Sequence, residues 1–163
     1  MRALKPLPLL CALLLACEPA ADVEPMACEK PEPASVNIGT GDKVTGFKAL
    51  PEGSDIRVSL GPQGLHMIVV AVVLDDFETP KLGAQQSAPH VVVRHEGQVV
   101  AGSIDNVKAT TQGEGEVVFL GIRTQFDFDE VDTLFGSLAE VAVTVRDGCG
   151  RDIRATRTFR LVK

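Results

Sequence analysis

The 163-residue sequence contains no tryptophan and no tyrosine, and aromatic residues make up only 4% of it. Tryptophan and tyrosine rings form many of the stacking platforms that bind nucleic-acid bases and many amphipathic interfaces. Their absence therefore disfavours base stacking and sugar binding on an aromatic surface. The net charge of −6 also disfavours nucleic acid, because phosphate binding depends on lysine and arginine. We expect no nucleic-acid partner.

Catalytic and nucleotide-binding motifs are missing as well. The sequence has no Gly-x-Ser-x-Gly elbow, no P-loop and no dinucleotide fingerprint. Its three histidines, His66, His90 and His95, include no His-Glu-x-x-His pair, and alternation along a strand would point His90 and His95 to opposite faces. We predict no catalytic residues and no cofactor. For His66, next to a tight turn, we expect a structural hydrogen bond to a backbone carbonyl.

The stretch from Leu65 to Leu74 is apolar apart from His66. Ten residues are too few to span a bilayer as a helix, which requires about 20. The stretch is rich in valine, and β-branched residues favour a strand over a buried helix. A turn at Gly61-Pro62-Gln63-Gly64 precedes it and Asp75-Asp76 follows it. We therefore predict a central β-strand packed on both faces.

The rest of the body consists of short apolar runs separated by turn residues, with no long amphipathic helix. The clearest pattern is the final hairpin, which turns at Asp147-Gly148-Cys149-Gly150 and in which Arg157 interrupts the apolar face. One helical turn is expected between Asp129 and Phe135. These features predict an all-β, immunoglobulin-like antiparallel β-sandwich of about 7–9 strands. The hairpin residues expected to face the core are Val141, Val143, Val145, Ile153, Ala155, Phe159 and Leu161.

The N-terminus carries the features of an export signal. Arg2 and Lys5 precede an apolar run from Leu7 to Ala16. The run ends in Leu14-Leu15-Ala16-Cys17, which resembles the lipobox of bacterial lipoproteins. That resemblance implies that residues 1–16 are a signal peptide and that Cys17 is acylated after cleavage. The alternative is ordinary secretion, in which Cys17 has no role.

The segment from 17 to 34 reads as an acidic, proline-rich tether, and the domain follows at 35–163. Proline fixes φ and like charges repel, so this composition favours an extended chain. Glu18 follows the cysteine, where aspartate in Gram-negative lipoproteins tends to mark inner-membrane retention. The resemblance therefore implies a lipid-anchored protein of the cell envelope, at the outer membrane.

The two cysteines that remain after Cys11 leaves and Cys17 is acylated are Cys28 and Cys149. In an exported protein they most simply form one disulfide. The loop that it would close is long, because the two cysteines are 149 − 28 = 121 positions apart. The chain-entropy model assigns roughly 4–5 kcal/mol to a loop of that order.

A second resemblance covers most of the body. Gly39-Thr40-Gly41, the Gly61-Pro62-Gln63-Gly64 turn with His66 after it, and the Val-Arg-Asp-Gly start of the final hairpin turn are similar to motifs in a family of uncharacterised immunoglobulin-like bacterial lipoproteins. The resemblance implies the fold and the anchor, and it implies no activity.

An acidic run offers the best candidate for metal binding. Asp127, Asp129 and Asp132 supply the hard oxygen ligands that calcium takes in loops, although the EF-hand pattern is not met. The alternative is a solvated loop in which Asp129 caps the helical turn and tucks Leu134 and Phe135 under the sandwich. Asp75-Asp76 is a weaker second candidate.

These patterns together lead to one functional hypothesis and one main alternative, with a hydrolase that has an unrecognised site ranked below both. The leading hypothesis is a lipid-anchored cell-envelope module that binds or scaffolds an envelope protein, contacting the membrane only through its N-terminal lipid. The alternative is a calcium- or transition-metal-binding envelope protein that uses the acidic run or the histidines.

Overall fold

The computed structural model describes residues 34–77, 88–104, 107–111, 116–127 and 131–163. In these ranges the chain forms eleven strands and one short 3-10 helix, Val131–Leu134. None of the helical structure described there is long and apolar enough to cross a membrane. The strands are β1 Ser35–Thr40, β2 Lys48–Ala49, β3 Asp55–Arg57, β4 Ser59–Leu60, β5 His66–Asp75, β6 His90–His95, β7 Gln98–Ser103, β8 Thr110–Thr111, β9 Val117–Phe126, β10 Leu138–Arg146 and β11 Asp152–Val162.

Strand β5 lies between β1 and β9, and it is antiparallel to both. Ile68, Val70, Val72 and Leu74 face the core, and Ala71 and Val73 on its other face are also buried. The prediction of a central strand packed on both faces is therefore confirmed. An extra residue on β9 shifts the β5–β9 register near Gly121, whose φ of 73° is typical of a bulge glycine.

The strand order confirms the all-β, sandwich-like class. The eleven strands form one continuous sheet in the order β2-β1-β5-β9-β7-β6-β10-β11-β3, with β4 beside β5 and β8 beside β9. This sheet curls into two layers, which we call the first sheet (β2-β1-β5-β9) and the second sheet (β7-β6-β10-β11-β3). The central strands β1-β5-β9-β8 and β6-β10-β11 follow the A-B-E-D and C-F-G orders of immunoglobulin-like sandwiches. Pairing of β7 with β9 joins the two sheets along one side.

Two details differ from the prediction of about 7–9 antiparallel strands. There are eleven strands in the described ranges, and β3 pairs with β11 in parallel. The additional strands have only two or three residues each. The alternating run from Ile56 to Leu60, which predicts one strand antiparallel to β5, is divided between β3 and β4, and only β4 pairs with β5. The chain bends at the buried Val58, between β3 on β11 and β4 on β5, and so passes from one sheet to the other.

The final hairpin forms around the predicted turn, with Val145 opposite Ile153 and Ala139 opposite Phe159. All of the predicted core residues of this hairpin are buried except Ala155, which is partly buried against the core. Arg157 occupies an inward position, and its guanidinium donates a hydrogen bond of 2.9 Å to the carbonyl oxygen of Leu50. It therefore snorkels to the edge of the core, as expected of a long cationic side chain there.

The predicted helical turn is present as the 3-10 helix Val131–Leu134. Val131 and Leu134 are buried, and Phe135 packs against the core from its margin. The role of Asp129 as a cap lies outside the described residues.

The strand directions define two ends of the sandwich. β1 begins at Ser35 opposite Asp75, the last residue of β5, and the Ser35 hydroxyl donates to the Asp75 carboxylate over 3.1 Å. β10 runs in the same direction as β5, so the β10–β11 turn lies at this end too. We call it the near end, because β1 begins there. The opposite end, with the turn from Gly61 to Leu65, is the far end.

Candidate functional site

The turn from Gly61 to Leu65 is built from its two glycines. The Gly61 N–H donates to the Leu65 carbonyl over 2.8 Å, and the Gly64 N–H donates to the Gly61 carbonyl over 2.9 Å. Gly64 has a φ of 77°, a conformation that favours glycine. A Cβ at Gly61 would overlap the Met67 side chain. The sequence motif thus forms a tight turn, which places Leu65 at the surface beside Met67.

A groove of about 190 Å³ lies next to this turn at the far end. The turn, Leu65 and Met67 form one wall, and Ile104, Arg123 and Gln125 form the other. The walls are held together by the pairing of Met67 with Gln125 and by a 3.1 Å hydrogen bond from the Ile104 N–H to the Arg123 carbonyl.

The chemistry of the groove is mainly apolar, with an amide and a guanidinium at one wall. Leu65 and Ile104 are both exposed at its rim, and Leu60 is exposed on the neighbouring strand. Pockets for drug-sized ligands usually enclose about 300–1,000 Å³, more than this groove provides. Its size fits one apolar side chain of a partner, with Gln125 available for a hydrogen bond at its edge.

His66 lies beside the turn but has a different contact from the one we predicted. Its ring packs edge-on against Phe135, with 6.3 Å between ring centroids and an interplanar angle of 73°. Lys163 Nζ lies 4.9 Å from the centroid of the Phe135 ring and 3.3 Å from the Asp132 carboxylate. The predicted bond from His66 to a backbone carbonyl is therefore replaced by ring packing that joins β5 to the segment after the 3-10 helix.

The proposed calcium ligands are only partly within the described ranges. Asp127 follows β9 with an exposed side chain, Asp132 is paired with Lys163, and Asp129 lies outside the described residues. Within the described ranges, no group of three potential ligands is close enough to hold a metal ion. Calcium binding stays a prediction, which native mass spectrometry of the protein with added calcium, compared with Asp129→Ala, would test.

Of the residues proposed for lipidation and for the disulfide, Cys149 alone lies within the described ranges. Cys17 and Cys28 are outside the described residues, as are the predicted signal peptide and all of the predicted tether before Ala34. Cys149 sits in the β10–β11 turn, where its N–H donates to the Asp147 carboxylate over 2.9 Å. The pairing of Cys28 with Cys149 stays a prediction.

The role of Asp147 was not recognised from the sequence, which marked it only as a turn residue. Its carboxylate is buried and accepts hydrogen bonds from the N–H of Cys149 and from the N–H and Nε of Arg151, at 2.9, 2.8 and 2.7 Å. The sequence signal for this role is an aspartate at the end of a strand and before a glycine, with an arginine four positions later. The arrangement organises the turn and holds Cys149 in place.

Comparison with protein-family models, with curated proteins and with solved structures found no match to this chain. The resemblance of the body to a family of immunoglobulin-like lipoproteins therefore stays a prediction. One of its motifs has a clear structural role. A Cβ at Gly39 would overlap the backbone of Lys48, a Cβ at Gly41 would overlap the backbone of Gly46, and the Thr40 hydroxyl donates to the Val69 carbonyl over 2.9 Å.

Proposed function

We propose that this protein is a lipid-anchored binding or scaffolding module of the bacterial cell envelope. In this proposal Cys17 carries the lipid, the acidic segment before Ala34 is the tether, and the groove at the far end receives an envelope protein. The proposal assigns the protein no catalytic role. The lipobox and the composition of the tether support the anchor.

The observation that carries the proposal is the position of the groove relative to the start of the domain. The domain begins beside Asp75, whereas the groove includes Met67 at the other end of β5. Eight residues of extended strand at 3.3 Å each correspond to about 26 Å. A domain held by its N-terminus would therefore present the groove away from the membrane that holds it.

The kind of partner follows from the lining of the groove. Leu65, Met67 and Ile104 offer apolar contacts, and burial of a leucine or phenylalanine side chain contributes roughly 1.5–3 kcal/mol. Gln125 adds a hydrogen-bonding group at the margin. A protein that inserts one apolar side chain and surrounds it with polar contacts fits this surface.

The anchor can be tested by labelling cells with palmitate. We expect label in the parent protein and none in Cys17→Ser, because the thiol is the site of acylation. Density-gradient separation of the two membranes should place the labelled protein with the outer membrane. Equal labelling of both proteins, or label in neither, would refute the lipid anchor and leave the fold unaffected.

The binding role can be tested with photo-cross-linking residues in living cells. A cross-linker at Leu65, on the rim of the groove, should give discrete products with envelope proteins. A cross-linker at Val44, which is also apolar and exposed but lies in a different loop, serves as the matched control. Identical products from both positions, or none from Leu65, would contradict binding at the groove.

The proposed disulfide has a separate test because Cys28 and Cys149 are 121 positions apart. Closing a loop of this order contributes roughly 4–5 kcal/mol in the chain-entropy model. We expect a peptide in which Cys28 is linked to Cys149 in a non-reducing digest, and a lower unfolding midpoint for Cys28→Ser. Free alkylation of Cys149 in the oxidised parent protein would rule the bond out.

A further inference from the structure

Five of the nine arginines in the sequence lie on one surface, the outer face of β3, β11, β10 and β6. We call this surface the arginine face. Its acidic residues are Asp55, Glu140 and Asp152, so its formal charge is positive in a chain whose net charge is −6. The arginines are Arg57, Arg94, Arg146, Arg154 and Arg160.

Alternation along the strands puts these side chains on the same side. Ile56, Val141 and Phe159 point into the core, so their neighbours in the strands point outward. The register then sets the lateral order, with Arg160 between Leu138 of β10 and Asp55 of β3.

Not all of these cations are neutralised on the face. Arg94 lies 3.4 Å from Glu140, and Asp152 lies 2.8 Å from Arg146 and 3.7 Å from Arg154. Arg57 and Arg160 make no ion pair within the described ranges, and both are exposed. The half of the face formed by β3 and β11 therefore offers two cations to a partner.

An exposed apolar side chain lies beside these arginines. Leu138 is 52% exposed and lies directly opposite Arg160 across the β10–β11 pair. Side chains in such pairs have Cβ atoms about 4.5–5.5 Å apart. The centre of the face carries the shorter side chains of Ala142, Thr156 and Val92 in one row across three strands. The face is thus shallow in the middle, with a leucine and arginines around it.

We infer that the arginine face binds an extended acidic peptide segment that also carries an apolar side chain. Arg154 and Arg160 are six residues apart on β11, which corresponds to about 20 Å of strand. Donors spread over that distance cannot converge on one phosphate or carboxylate, whereas an extended chain with repeated carboxylates can meet them in turn. Leu138 would contact the apolar residue of the bound peptide.

An anionic membrane surface fits less well. Charges farther apart than the Debye length of about 8 Å at physiological salt are largely screened from one another. A short peptide on the face therefore experiences mainly the local arginines. A membrane spreads beyond the face and also meets the acidic remainder of a chain with net charge −6. This inference concerns the folded domain and does not depend on the lipid anchor.

The test is fluorescence anisotropy of the purified full chain with two labelled peptides, one alternating glutamate with leucine and one alternating glutamate with serine. We expect the double variant that combines Arg57→Gln and Arg160→Gln to bind the glutamate–leucine peptide about tenfold more weakly than the parent protein. The control is the double variant that combines Lys43→Gln and Lys48→Gln, which removes the same charge from exposed positions outside the arginine face. It should change binding of this peptide less than about twofold.

Two further measurements make the result specific. Leu138→Ser should weaken binding of the glutamate–leucine peptide several-fold and leave binding of the glutamate–serine peptide unchanged, because only the first peptide supplies an apolar contact. Circular dichroism and urea unfolding should show that every variant remains folded. Equal binding by the arginine and lysine variants would overturn the inference. Arginine-dependent binding of phosphatidylglycerol vesicles without peptide binding would overturn it too, in favour of a lipid.

Discussion

Asp147→Ala removes the carboxylate around which the β10–β11 turn is built. The side chain of Asp147 is 0% exposed and that of Arg151 is 28% exposed, and Oδ2 of Asp147 lies 2.7 Å from Nε of Arg151. The alanine variant leaves the N–H groups of Cys149 and Arg151 without this acceptor. It also leaves a half-buried guanidinium without the carboxylate that faces it. We expect Asp147→Ala to be one of the most destabilising changes outside the apolar core.

The size of the expected loss of stability follows from how deeply Asp147 and Arg151 are buried. Removing one partner of a buried ion pair costs about 3–5 kcal/mol, because the other charge stays desolvated. Water can reach part of Arg151 in the variant, which places the expected loss at the lower end of that range. A loss of about 3 kcal/mol reduces the folding equilibrium constant by a factor of about 150.

The assay is equilibrium unfolding in urea, under the same oxidising conditions for every variant. Asp152→Ala provides a matched control in the same hairpin. The ion pair of Asp152 with Arg146 is also short, at 2.8 Å, but it lies at the surface, because the Asp152 side chain is 34% exposed and that of Arg146 is 60% exposed. Surface pairs contribute about 0–1 kcal/mol, so this variant should unfold close to the parent. A loss below about 1 kcal/mol in Asp147→Ala, or equal losses in both variants, would show that the buried carboxylate does not stabilise the turn.

Three further predictions concern other parts of the sandwich. Within the described ranges the Thr124 hydroxyl is buried without a hydrogen-bond partner, so Thr124→Val should raise the free energy of unfolding by about 1 kcal/mol; a lower free energy of unfolding in urea would contradict this. Gly39→Ala would put a Cβ against the backbone of β2 and should destabilise by at least about 2 kcal/mol, whereas Gly102→Ala has open space around it; similar midpoints for both variants would refute this steric reasoning. The hydrogen bond from Arg146 holds the pKa of the Asp152 carboxyl below its ordinary value, so Arg146→Gln should raise that pKa in an NMR titration. Because the folded pKa is the lower one, this small stabilisation is complete above the unfolded pKa of about 3.9 and is lost as the pH falls through the folded pKa.

Local pattern was sufficient for the class of fold and for its strongest elements. The valine-rich stretch from Leu65 to Leu74 becomes the central strand β5, and alternation from Val141 to Leu161 becomes the hairpin of β10 and β11. Both signals arise within a single strand or between neighbours in the chain. The side-chain period of two and the preference of β-branched residues for strands do not depend on distant partners. The helical turn before Phe135 was visible for a similar reason, since it lies within a few residues.

The pairing of distant segments was decided by the tertiary structure. The parallel contact of β3 with β11, the groove between the Gly61 turn and β9, and the placement of Arg57 and Arg160 on one face all bring together residues that are far apart in the chain. Strand order and register depend on which apolar faces bury each other best, and many pairings satisfy the same local pattern. Short strands such as β8 carry too few residues for a periodic signal. The sequence thus determined the kind of strands that this protein forms, and tertiary packing decided which surfaces those strands present.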